Sequence, residues 1–174
     1  MRKLLFATAA AALIASPAFA ELPVGSKAPD FSTTGALAGK PFKFHLADQL
    51  KHGPLVLYFF PKAFTSGCTA EAHAFSEAAA QFHKLGARVI GMSADNLPVL
   101  EQFSVKECRN QFPVATADPD VRKAYDVVLA QKPEYANRTS YVIDRKGDIV
   151  MAYTNLDPSE HVQRTLAAVK ALKH

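Results

Sequence analysis

From Leu55 to Phe60 the chain reads Leu-Val-Leu-Tyr-Phe-Phe, opened by Gly53-Pro54 and closed by Pro61. A run that is apolar at both odd and even positions has no face for water, so it predicts a central strand covered on both sides. The period then changes. Between Thr65 and Leu85, Ala72, Phe75, Ala79 and Phe82 recur at helical spacing, and Gly86 stops the segment. Arg88 to Ser93 predicts a second buried strand, after which Asn96 and Pro98 open a helix through Leu100, Phe103 and Cys108. Phe112 to Thr116 is a third strand, and a short helix with Val121, Ala124, Tyr125 and Val128 follows Asp118-Pro119. The polar segment from Gln131 to Asn137 is a predicted loop, and Thr139 to Ile143 and Asp148 to Tyr153 flank Arg145-Lys146-Gly147 as a hairpin. In the last helix Asp157 is the expected cap, Pro158 occupies the first turn and Glu160 completes a capping box, with Val162, Leu166, Val169 and Leu172 forming one stripe.

Strand, helix, strand, helix, strand, helix, hairpin and helix in that order predict an α/β fold with a mixed central sheet flanked by helices. Right-handed crossovers favour a thioredoxin-like arrangement of these elements.

The first apolar stretch, Leu4 to Ala15, has a different meaning. Arg2 and Lys3 precede it and Ala18-Phe19-Ala20 supplies small residues for cleavage, so residues 1–20 read as a secretory signal peptide. The expected product is exported and periplasmic, a single domain over residues 21–174 with no stable membrane association, because no later run approaches the roughly 20 apolar residues of a membrane span. Without the leader, 18 basic residues face 16 acidic ones, a net charge of +2. No basic run with interleaved aromatics is present, and nucleic acid is not an expected partner.

Two cysteines remain, Cys68 and Cys108. In an oxidising compartment the default for such a pair is a structural disulfide, which would stabilise a loop of this length by about 4 kcal/mol in the chain-entropy model. Yet a domain of 154 residues seldom needs that staple. Cys68 also falls in the first turn of a predicted helix, where unpaired backbone N–H groups and the positive end of the helix dipole favour an anion. Only the thiolate of a cysteine attacks, and a free thiol is mostly protonated at neutral pH. This position therefore suits a nucleophile.

The spacing Pro61-x-x-x-Thr65-x-x-Cys68, set between a buried strand and a helix, resembles the peroxiredoxin active-site motif. The wider string Tyr-Phe-Phe-Pro-Lys-Ala-Phe-Thr-Ser-Gly-Cys-Thr is most similar to the bacterioferritin-comigratory, or peroxiredoxin Q, subgroup, although most peroxiredoxins carry Val-Cys-Pro or similar where this chain has Gly-Cys-Thr. Arg138, in Asn-Arg-Thr-Ser-Tyr-Val-Ile-Asp, matches a downstream arginine at the start of a strand, and the resemblance runs from about Ala28 to the C-terminus. It implies a thiol peroxidase that reduces hydrogen peroxide or organic hydroperoxides at Cys68 without a metal or organic cofactor. Thr65 would hold the peroxide, Arg138 would stabilise thiolate and developing negative charge, Pro61 would shape the loop without a competing donor, and by the resemblance Glu71 would orient Arg138. An external dithiol, such as a thioredoxin-like protein, would restore the enzyme, which would be a monomer or homodimer.

The chain departs from the subgroup at one place. Some members carry a second cysteine five residues after the first, where this chain has His73, and others carry it on the next helix, where Cys108 falls. The resemblance thus implies that Cys108 resolves the sulfenic acid of Cys68, with a one-cysteine mechanism as the alternative. Five residues advance a helix by about 500°, so His73 is not read as a partner of Cys68 but as a solvated histidine. His45, His52, His83, His161 and His174 show no metal-ligand spacing. Two competing functions remain: a thiol–disulfide oxidoreductase of the same fold, disfavoured because Cys68 lacks a Cys-x-x-Cys partner, and a non-enzymatic module with a structural disulfide.

Overall fold

A computed structural model describes residues 21–172 of the chain, so the predicted leader lies outside the described residues. Seven strands form one sheet: β1 (Ser32–Leu37), β2 (Lys40–His45), β3 (Leu55–Phe59), β4 (Arg88–Ser93), β5 (Val114–Thr116), β6 (Thr139–Ile143) and β7 (Ile149–Thr154), in the spatial order β2-β1-β5-β4-β3-β6-β7. The helices are α1 (Leu46–Leu50), α2 (Ser66–Lys84), α3 (Leu97–Lys106), α4 (Pro119–Ala124) and α5 (His161–Ala171). Strands β3, β4 and β5 are parallel, and antiparallel strands extend the sheet on both sides. This is the mixed, thioredoxin-like sheet expected from the sequence.

Side-chain alternation explains why β3 is apolar throughout. Val56, Tyr58 and Phe60 enter one core with Phe75 and Phe82 of α2, Phe103 of α3 and Val169 of α5. Leu55, Leu57 and Phe59 enter a second core with Leu46 and Leu50 of α1 and Val121 of α4. A strand with helices over both faces has no solvent side on which to place polar residues.

Register places the ends of β3 and β6. Phe59 pairs with Thr139, so Arg138 flanks the exit of β3, where the chain turns toward α2. Three sequence expectations need correction here. Helix α3 ends at Lys106, with Glu107 as its C-cap, so Cys108 lies beyond the helix, in a turn where Arg109 and Asn110 take φ values of 50° and 61°. Helix α5 begins at His161, after Glu160; the Asp157 carboxylate accepts from the Ser159 N–H, and Glu160 pairs with Arg164. An Asx turn took the capping residues that the sequence assigned to the helix. Strands β1 and β2 and helix α1 had no predicted counterpart. The fourth helix stops at Ala124, and Val128 instead bridges to Ala136 within the expected loop region.

Close packing of β3 on β4 rests on one glycine. Tyr58 and Gly91 are cross-strand partners, and a Cβ at Gly91 would lie 2.7 Å from Tyr58 Cζ. The Tyr58 ring has no room to retreat, because it is fully buried and stacks on Phe75 at 4.4 Å between centroids. Gly91→Ala is therefore expected to destabilise by about 1–3 kcal/mol through overpacking, against the ordinary strand preference for alanine. Urea unfolding checks this, and an unchanged or raised midpoint would show that the ring can move aside.

Candidate active site

The polypeptide leaves β3 through Pro61, and the next turn is held from the neighbouring strand's end. The Asp95 carboxylate accepts from the Ala63 N–H at 2.7 Å and from Ser93 Oγ at 2.8 Å. Phe64 takes φ 63°, an unusual conformation for a bulky residue, and its ring meets Phe103 edge-on at 5.2 Å. Thr65 then occupies the N-cap position of α2 with extended backbone. Its hydroxyl does not cap the helix; it donates to the Lys62 carbonyl at 3.0 Å. The N–H groups of the first turn consequently receive no side-chain acceptor from the cap.

Cys68 is the third residue of α2 and is 1% exposed. Its sulfur accepts from Arg138 Nη2 at 3.5 Å. The guanidinium is itself buried and held on two further sides: Nε donates to the Leu156 carbonyl at 2.8 Å, and Nη1 donates to Glu71 Oε2. Gly67 permits this approach, because a Cβ there would sit 3.1 Å from Arg138 Nη2. Glu71 lies one helical turn beyond Cys68 and is fully buried.

These charges oppose one another in a dry place. Burial pushes the Glu71 carboxyl up to about 8, and Arg138 offsets part of that rise by proximity and by its hydrogen bond. Burial acts to lower Arg138, but the neighbouring Glu71 and Cys68 outweigh it and leave the guanidinium more firmly protonated than usual. Outside the cluster, Pro61, Lys62, Thr65, Leu129, Tyr135 and Leu156 border an open depression of about 420 Å³. Its lining is mostly apolar, with Lys62 Nζ 5.5 Å from the Tyr135 ring centre. Another recess, beside Phe42, Phe82 and Phe112, has no lining residue in common with this depression or with the Cys68 cluster.

The structure thus brings together Cys68, Arg138 and Glu71 by direct hydrogen bonds, with Pro61 and Thr65 at the mouth. Cys108 is a buried free thiol in the same apolar core as Cys68, outside the hydrogen-bonded cluster, and Cys68 is also free. Burial raises the Cys108 thiol well above its ordinary value, and nearby Glu107 adds to this. His73, read from the sequence as solvated, is half-buried and also engaged: its Nε2 lies 2.7 Å from Glu107 Oε2, tying α2 to the residue before Cys108. Asp95, Gly67, the Leu156 carbonyl, Ser140 and His161 were missed. A glycine in the first turn of a helix was a signal for Gly67; the others depend on contacts distant in sequence.

A thioredoxin-like sheet that delivers a helix-start cysteine to a buried arginine defines the peroxiredoxin class of thiol peroxidases. Residues 24–152 match the AhpC/TSA family, and the chain belongs to it. Chloroplastic peroxiredoxin Q of Sedum lineare is 31% identical over 170 residues, covering 97% of this chain and 89% of that protein. The Arabidopsis thaliana peroxiredoxin Q is 34% identical over 154 residues, covering 88% and 69%. Among solved structures, a mutant of PrxQ from Xylella fastidiosa superimposes with a TM-score of 0.77 at 25% identity, covering 88% of this chain and 98% of that one. The peroxidoxin BcpB of Mycobacterium tuberculosis gives 0.75 at 28% identity, covering 87% and 98%. The chain is a peroxiredoxin of the bacterioferritin-comigratory and peroxiredoxin Q type, and a thiol peroxidase.

Burial of Glu71 has a measurable consequence for stability. Its native value, about 8, lies above its ordinary 4.5, so between these limits the native state keeps a proton that the unfolded chain releases. Stability is therefore lost as pH rises through that window, with a slope reaching about 1.4 kcal/mol per pH unit. Glu71→Gln removes the titrating group. Urea unfolding from pH 5 to 8 is expected to show wild type losing stability relative to Glu71→Gln; parallel profiles would contradict the assignment.

Proposed function

We propose that Cys68 is the peroxidatic nucleophile of an exported enzyme, with Arg138, Thr65, Pro61 and Glu71 in supporting roles and Cys108 as the resolving thiol. The observation that carries this reading is the 3.5 Å contact of Arg138 Nη2 with Cys68 Sγ. A guanidinium fixed at that distance stands ready for the negative charge that develops when sulfur attacks and the O–O bond breaks.

The thiolate attacks the terminal oxygen of hydrogen peroxide or an organic hydroperoxide. The S–O bond forms as the O–O bond breaks, giving Cys68 sulfenic acid and a hydroxide or alkoxide that takes a proton from water. Thr65 and the free N–H groups at the start of α2 supply donors for the peroxide oxygens, and Arg138 stabilises the leaving anion. Glu71 fixes the guanidinium. The Cys108 thiol then displaces hydroxide from the sulfenic acid, forming a disulfide and water, and an external dithiol, as in a thioredoxin-like protein, reduces that disulfide.

Two features support Cys108 in this role. It shares a core with Cys68, and His73, the position where some subgroup members carry their second cysteine, contacts the residue next to it. Export is supported by Arg2 and Lys3, the apolar stretch after them and Ala18-Phe19-Ala20.

Stopped-flow mixing of reduced protein with peroxide tests the nucleophile. Cys68→Ser is expected to abolish the reaction, and Arg138→Lys to slow it on the order of a hundredfold with the fold intact, since lysine cannot reproduce the fork of donors. Unchanged kinetics in Arg138→Lys would remove the electrostatic role.

One equivalent of peroxide followed by mass spectrometry tests the second cysteine. Wild type is expected to yield an intramolecular Cys68–Cys108 bond, and Cys108→Ser a sulfenic acid that overoxidises readily. No such bond, together with unimpaired turnover of Cys108→Ser, would establish a one-cysteine mechanism. Export predicts a mature N-terminus at Glu21 in the periplasmic fraction.

A further inference from the structure

His161, the first residue of α5, is fully buried, and both ring nitrogens are engaged. Nε2 lies 2.9 Å from the Asn155 carbonyl oxygen, and Nδ1 lies 2.8 Å from Ser140 Oγ. A carbonyl only accepts, so Nε2 carries a hydrogen. Burial disfavours the charged ring and pushes it down to about 4, against the Asn155 carbonyl, while Arg138 and Arg164 also lower it and Asp157 raises it. In the neutral ring Nδ1 is then an acceptor, and the Ser140 hydroxyl donates to it.

Two consequences meet at Arg138. First, the bond from Nε2 fixes the Asn155 carbonyl, and the next carbonyl, Leu156, is the acceptor for Arg138 Nε. The same stretch is tied again by the Asn155 N–H, which donates to the Arg138 carbonyl at 3.2 Å. Second, Nδ1 faces Glu71 Oε1 at 3.7 Å but has no hydrogen to offer, and Oε1 has no hydrogen-bond partner. Glu71 therefore holds the guanidinium through Oε2 alone, beside a vacant acceptor. Once Glu71 ionises, at about 8, its carboxylate offers the two-point contact an arginine prefers, and a small rotation that filled Oε1 would take Nη2 off Cys68.

We propose that His161 is a positioning residue that keeps Arg138 on the Cys68 sulfur, bracing the Asn155–Leu156 peptide so that the guanidinium does not turn onto both oxygens of Glu71. The proposal rests on the peroxidatic reading of Cys68. It explains a buried histidine that touches neither the sulfur nor the peroxide depression, and it makes the β7–α5 connection part of the site.

Replacing the ring by each of its halves tests the brace. The amide of His161→Gln can reproduce the Nε2–H donor to Asn155, whereas His161→Asn reproduces only the Nδ1 side. In a Cys108→Ser background, His161→Asn is expected to react roughly tenfold more slowly with hydrogen peroxide at about pH 9, where Glu71 is ionised, with a correspondingly smaller thiolate absorbance, as for loss of a charge-assisted hydrogen bond. His161→Gln should retain most of the rate. The Asn variant's defect should shrink in a Glu71→Gln background, where the competing carboxylate is gone.

If His161 matters only for stability, both variants unfold more easily while the folded protein keeps its thiolate absorbance and rate, and the proposal is overturned. Nitrogen NMR of wild type provides a check independent of variant folding: the expected ring is neutral with hydrogen on Nε2, and an Nδ1–H tautomer sinks the brace. Failure of the underlying reading looks different, since Cys68→Ser would then still consume peroxide.

Discussion

The site depends on one buried guanidinium divided between two partners. Arg138 contacts Glu71 and the Cys68 sulfur from the same rigid fork, with a backbone carbonyl as its third anchor. Removing such a group from water costs several kcal/mol and is tolerated only where its donors are well matched. A carboxylate alone could satisfy it fully and leave nothing for sulfur. The buried Glu71 is a weaker competitor than an exposed one, because burial disfavours its charged form. The environment that makes the carboxylate reluctant to ionise thus leaves part of the arginine's charge for the cysteine.

The sheet makes this division geometrically possible. Because β6 runs antiparallel to β3 with Thr139 opposite Phe59, the residue before β6 and the residues after β3 emerge at the same edge. Helix α2 starts there and brings Cys68 and Glu71 to the same guanidinium, one turn apart. The absence of a side chain at Gly67 lets the guanidinium lie against the helix start. The turn between β3 and α2 is neither free nor relaxed, since Asp95 pins it and Phe64 adopts a conformation uncommon outside glycine. Rigid strands set the coarse position, and a few specific contacts complete it.

How much of this was legible in the sequence follows from the range of each interaction. The unbroken apolar run from Leu55 to Phe60 announced a strand covered on both sides, and the helical spacing of Ala72, Phe75 and Phe82 announced α2, because burial patterns are local. Cys68, Thr65 and Arg138 were legible as a spaced motif. What failed was of two kinds. Asp157, Pro158 and Glu160 were read as the start of α5, which begins only at His161, and α3 was extended to Cys108 although it ends at Lys106. The contacts of Asp95, His161 and the Leu156 carbonyl join residues brought together only by the tertiary fold. The contact of Glu107 with His73, which joins two separate elements, is of the same kind.

The surroundings of Cys108 set the terms on which a second sulfur can take part. Ser76 donates to the Cys108 carbonyl at 2.9 Å, His73 holds Glu107, and Arg109 reaches Glu77 at 3.3 Å, so three neighbouring positions on α2 clasp the turn. Held there, the thiol is buried and resists ionisation, and a protonated thiol is a poor nucleophile. Any movement that releases the turn from α2 would also bring the sulfur toward water and restore its ordinary acidity. Position and reactivity are therefore coupled: on the proposed route, the clasp that holds the Cys108 turn against α2 is also what keeps its thiol unreactive. On that route, sulfenic acid formed at Cys68 would persist until the clasp yields, so the strength of a few contacts between α2 and the Cys108 turn would set how long the oxidised enzyme is exposed to a second peroxide.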